Sequence, residues 1–176
     1  MRFRARRADG VPAVTLERAG LRRGEKVLAA GRATDSTWLL GCRERLVVVG
    51  PDEGAELSLP WERVEDASWD REASRLTVSA IADFGTERPA YAFELEDPAL
   101  LLQLVRERVT ASIVLQRRVP VEGKLGLSVI GRRSPSGGPV AWMHSYDAGL
   151  DPSDPGVVVV ADLALAQART EVGDDL

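Results

Sequence analysis

WLLGCRERLVVVG (residues 38–50) and LSLPWERVEDASWD (residues 57–70) decide the fold class of this chain. The first reads as an apolar strand, a tight charged turn at Arg43-Glu44, and a second apolar strand. The second reads as a strand interrupted by Pro60-Trp61 and resumed at Val64. Proline cannot donate a ladder hydrogen bond, so Pro60 requires a kink or an edge position. These residues specify a small β-architecture and bring no acid–base chemistry with them.

Working outward, residues 26–33 form an expected first strand, ended by Thr34-Asp35-Ser36, which are turn formers. Pro51-Asp52-Glu53-Gly54 is a surface turn. Residues 75–81 alternate Leu76, Val78 and Ala80 with Thr77 and Ser79, a half-buried strand. A polar loop around Gly85 follows, then a strand with Tyr91, Phe93 and Leu95 on one face. Asp97 is read as an N-cap and Pro98 as the first helical residue. Leu101, Leu104, Val105, Val109 and Ile113 then recur at helical spacing as one apolar stripe, which needs a sheet to cover.

The final third predicts a hairpin, residues 125–132 and 140–146, joined through Ser134-Pro135-Ser136-Gly137-Gly138-Pro139. Asp154-Pro155 opens a helix ending near Arg169, although Val157–Val160 also suits a strand. The expected organisation is a basic flexible arm over residues 1–24 (with a short strand at 13–16), a main domain over 25–116, and a hairpin-plus-helix unit over 117–176.

Composition limits the function classes. At 176 residues with 44% apolar content the chain can bury a substantial core. No apolar run approaches the ~18 residues of a membrane span, and the start has neither the apolar stretch nor the cleavage site of a secretory signal. The single cysteine precludes an internal disulfide. A soluble cytoplasmic protein is the expectation. The net charge is −4, but residues 1–24 carry seven arginines against Asp9 and Glu17, so the arm is +5 and the rest −9. An acidic body argues against nucleic acid as a specific partner.

Seven strands and a helix in this order resemble the pleckstrin-homology-like superfamily, specifically its bacterial PH-like and GRAM-type domains, over residues 25–115. LLGCRERLVVV is similar to their strand–turn–strand, with Arg45-Leu46 in place and Cys42 where a threonine is usual. LPWERVEDASWD is similar to their apolar-Pro-aromatic segment, with Val64 as the apolar anchor. The resemblance implies an α+β, mainly β fold: a seven-stranded antiparallel barrel or sandwich capped by a helix, here followed by the hairpin and helix. It implies a binding module rather than an enzyme. Many such domains bind phosphoinositides near their first two strands. Here that turn holds Asp35 and no base, so the lipid site is not carried over.

The remaining candidates are weighed by their chemistry. His144, the one histidine, neighbours Ser145 on the opposite face of a strand and meets no nucleophile elbow. Cys42 sits among apolar residues, as a small hydrophobe does. Asp147, Asp151 and Asp154 are oxygen donors without EF-hand spacing, and turn formation and helix capping explain them better. GKLGLSVIG (residues 123–131) matches no phosphate-binding loop. Trp69 and Trp142 suit packing, whereas Trp61, Pro60 and Trp38 are the expected partner-binding residues. Lys124, Arg117, Arg118, Arg132 and Arg133 read as a solvated face.

The expected function is a non-catalytic interaction module that binds a protein or self-associates, with no cofactor and no metal. One alternative is weak contact with an anionic membrane through Arg2, Arg4, Arg6 and Arg7. The other is a metal-dependent hydrolase built on Asp147, Asp151 and His144. No residue pattern names a small-molecule ligand.

Overall fold

Local pairing of consecutive strands builds most of the molecule, seen here in a computed structural model that describes residues 10–52, 55–81 and 89–174. The chain divides into two compact units, Met1–Thr110 and Ala111–Leu176.

In the first unit, β1 (Ala29–Ala33), β2 (Trp38–Gly41), β3 (Arg45–Val49) and β4 (Ala55–Pro60) form one antiparallel meander. β5 (Val64–Asp70), β6 (Arg75–Ala80) and β7 (Ala90–Glu96) form another. A short β1–β7 pairing, Arg32 opposite Glu96 and Ala33 opposite Leu95, joins them. The result is one curled seven-stranded antiparallel sheet, a half-barrel in the order β4-β3-β2-β1-β7-β6-β5. The mainly β, α+β class follows as expected. Pro60 ends β4, an edge strand, where its missing N–H costs no ladder bond.

The β1–β2 turn is built by its own residues. The Asp35 carboxylate accepts the Thr37 N–H at 2.9 Å, and Ser36 takes a left-handed φ of 71°. Asp35 is therefore committed to turn geometry.

α2 (Ala99–Ser112) lays Leu101, Leu104 and Val105 over the concave face, where they join Leu39, Leu46, Trp61 and Val78 in the main core. The helix comes close because Gly31 and Gly41 lie beneath it. A Cβ on Gly31 would sit 2.8 Å from a Leu101 methyl, and one on Gly41 2.5 Å from a Leu104 methyl. The cap differs by one position from expectation: the Pro98 carbonyl accepts the Leu102 N–H, and Asp97 stands before it with φ 42°.

The opposite face of β1–β3 is also covered. α1 (Ala13–Arg18), where a strand within a flexible arm was expected, is helical. Leu16, Ala19 and Leu21 meet Leu40, Cys42, Val47 and Val49 in a second cluster. All five residues of β3 are consequently buried. At six residues, with Pro12 at its N-cap and no side-chain cap, α1 has little intrinsic stability, so packing on the sheet holds it.

In the second unit, β8 (Ile113–Glu122), β9 (Leu125–Arg132) and β10 (Ala141–Tyr146) make a three-stranded sheet in the order β10-β9-β8. The expected hairpin is β9–β10. β8 departs from the sequence expectation: Ile113, which fits the apolar stripe of α2, instead begins a strand whose alternate residues face inward. α3 (Pro155–Val172) settles the ambiguity of the four valines in favour of helix. Asp154 caps it, its carboxylate accepting the Gly156 and Val157 N–H groups at 2.8 and 3.2 Å. Gly173 closes it in the left-handed conformation. Val157, Ala161, Ala164 and Ala168 face the sheet and pack with Leu127 and Val129. No helix among the described residues is long and apolar enough to cross a membrane.

Candidate functional site

Trp61, expected to anchor a partner, is not at the surface. It is 0% exposed, in a single 3-10 turn after β4, and its indole Nε1 donates to the Cys42 carbonyl at 3.1 Å. Pro60 directs the indole inward rather than out. Trp38 is half-buried against the α1 cluster, and Pro60 faces Arg45 across the β3–β4 ladder. Arg2, Arg4, Arg6 and Arg7 lie outside the described residues.

The hydrolase candidates are likewise occupied. Asp147 receives the Arg118 guanidinium, with Nη1–Oδ1 at 2.8 Å, and the Gly126 N–H at 2.9 Å. Arg118 holds its carboxyl down at about 2. Asp151 accepts from the Ser153 N–H and hydroxyl, which lowers its pKa. His144 Nε2 lies 3.3 Å from the Ala161 carbonyl oxygen under α3. Among the described residues no group of three or more His, Cys, Asp or Glu side chains is placed to hold a metal. Cys42 is fully buried, and desolvation, assisted by the nearby Glu25 charge, pushes its thiol up to about 12. Nor do the basic residues of the second unit form one surface. Arg132 is 3% exposed and donates to the Ser112 hydroxyl, while Arg117 is paired with Glu171.

Among the described residues, two concavities of the first unit stand out. The first is a groove of about 560 Å³ between β5 and α2. Ala67, Trp69, Leu76, Leu102, Val105 and Val109 supply its apolar lining. β5 is an edge of the sheet, and among the described strands it pairs with β6 alone. A bulge at Glu65 shifts the register between Val64 and Asp66. The extra residue puts Val64 on the same face as Ala67 and Trp69, which pack against the core, and leaves Asp66, Ser68 and Asp70 exposed.

The second is a cavity of about 590 Å³ beside the segment entering β1, the β2–β3 turn and α2. Glu25, one of the lining residues, is held in place by Arg45. Its guanidinium holds the Glu25 carboxylate through two bonds, of 3.0 and 2.7 Å, and also donates to the Ser58 hydroxyl and the Gly20 carbonyl. Both side chains of the pair are only 10% exposed, and Arg45 lowers the Glu25 pKa. Arg22 pairs with Glu44 at 3.1 Å. Arg23, Lys26, Arg43 and Arg108 also line the cavity, and no hydrogen bond or ion pair engages their side chains among the described residues. The Arg108 Nε is buried without a partner, at a desolvation cost of about 1–3 kcal/mol. Sequence reasoning missed both concavities, because each joins residues far apart in the chain.

No family model, curated protein or solved structure matches this chain.

Proposed function

We propose that the first unit is a PH-like, non-catalytic interaction module that binds an extended protein segment along β5. Support for the fold assignment comes from the two meanders joined through β1–β7 and closed over by α2, the arrangement expected of a pleckstrin-homology-like domain. The observation that carries the function is the free β5 edge running alongside the apolar β5–α2 groove.

A strand added to a sheet edge gains affinity from main-chain hydrogen bonds and selectivity from pockets for alternate side chains. β5 offers both. On its outer side no strand among the described residues pairs with it, and Trp69 and Val109 line the adjoining groove. Asp66 and Asp70 project from the same strand and favour a partner with basic residues between its apolar ones. A second copy presenting its own β5 meets these like charges, so a foreign segment is favoured over self-association.

Selection from a displayed random-peptide library tests this reading. Enriched peptides should be extended and basic–apolar, and should lose binding in Trp69→Ala and Leu102→Glu. Failure to enrich any peptide, or binding indifferent to both substitutions, refutes it.

A further inference from the structure

We propose that the cavity formed by Arg23, Lys26, Arg43 and Arg108 is a second binding site, independent of the β5 groove, for a ligand carrying a phosphate ester or diphosphate. The argument begins with the balance of charge. Its walls hold five cations, Arg22 included, against Glu25 and Glu44, in a chain whose net charge is −4. Cations concentrated in one concavity of an otherwise acidic protein produce a local field that attracts anions.

Partnering sharpens the point. Both acids are already neutralised, Glu25 by Arg45 and Glu44 by Arg22. Arg45 shows how this protein treats an arginine that serves structure: buried, forked onto a carboxylate and satisfied by a hydroxyl and a carbonyl. The other four cations have no such partners among the described residues, and the Arg108 Nε is buried and unsatisfied. Three guanidiniums and an ammonium match the several oxygens of a phosphate group, since guanidinium forks bind phosphate oxygens in pairs.

The site is also preorganised. Arg45 ties down Glu25 and Gly20, which flank the segment bearing Arg23. Arg43 lies in the tight β2–β3 turn, and Arg108 is fixed on α2. Holding the donors in place before binding reduces the ordering cost. At about 590 Å³ the cavity exceeds a lone phosphate and suits a phosphorylated small molecule or headgroup. The β1–β2 turn, stabilised by Asp35, takes no part.

Calorimetric titration of the full chain with inorganic pyrophosphate at low ionic strength tests the proposal. Saturable one-to-one binding is expected, weakened at least tenfold in Arg43→Gln/Arg108→Gln and in Arg23→Gln/Lys26→Gln. Arg71→Gln, in the β5–β6 turn, should bind like the unaltered chain. Thermal melts establish that each variant is folded, and two independent pairs guard against loss of one. Co-sedimentation with phosphatidylcholine vesicles containing phosphatidic acid identifies the source. Capture that depends on both pairs indicates a lipid headgroup; pyrophosphate binding without capture indicates a soluble phosphate ester. Absence of saturable binding, binding by either double variant as tight as by the unaltered chain, or equal weakening by Arg71→Gln overturns the proposal.

Discussion

Replacing Arg45 with Met removes one side of the most enclosed ion pair among the described residues of the first unit and leaves Glu25 as a buried carboxylate without its guanidinium partner. The geometry sets the size of the effect. With each side chain 10% exposed, solvent screens the pair little, and stranding one member of a buried pair costs about 3–5 kcal/mol. A domain has only about 5–15 kcal/mol in total. At 4–8 °C per kcal/mol for a small domain, the melting temperature should fall by at least about 12 °C. Glu25→Leu should cost a similar amount, because it strands Arg45. The double variant Glu25→Leu/Arg45→Met should cost less than the sum, with a coupling of about 2–3 kcal/mol. Urea denaturation of all four proteins measures the cycle. The effect should also fade in acid. Arg45 lowers the folded-state pKa of Glu25, so the stabilisation is complete above the unfolded value near 4.3 and is lost as pH falls through the folded one. Single variants costing under about 1 kcal/mol, or strict additivity, would refute this account.

Gly126→Ala should destabilise the second unit by about 1–3 kcal/mol, because its Cβ would lie 2.5 Å from the Val119 carbonyl oxygen and the backbone itself must move; denaturation of the variant measures it. The Asp147 carboxyl should titrate near 2 by NMR and move up towards the ordinary range in Arg118→Ala; the stability it contributes is present above its unfolded pKa and lost as pH falls through about 2. Cys42 should resist thiol reagents in the folded protein, and deletion of residues 10–21 should speed its labelling at least tenfold by uncovering the α1 face of the sheet. Labelling that is equally slow after the deletion contradicts the covering role of α1.

Strands bounded by turn chemistry were legible because both signals are local. Arg45–Val49 begins and ends where the apolar run and its flanking turn residues place it, and Asp154 caps α3 as its spacing to Pro155 requires. Less could be read where tertiary contact overrides local preference. α1 is held by packing on the sheet rather than by its own sequence. β8 was obscured because Ile113 and Val109 fit the helical stripe, while Arg117 and Arg118 resemble a polar linker although they alternate along a strand. Trp61 suggested exposure because Pro60 marks an edge, but the edge lies on one side of β4 and the indole turns to the other. The two concavities were inaccessible for a different reason. Glu25 meets Arg45 across 20 residues of chain, and Trp69 lines one groove with Val109 only once β5 and α2 are brought together.

The seam between β1 and β7 also bears on how the domain assembles. Every other strand contact in the half-barrel joins neighbours along the chain, whereas Arg32–Glu96 and Ala33–Leu95 close the longest loop with only two residue pairs. Chain closure over such a separation is entropically slow, so the two meanders can form early and wait on this contact. In the native protein the same junction is where amide hydrogens should exchange first by partial opening. The half-barrel thus has a built-in parting line, and α2, packed over it, acts as its clasp.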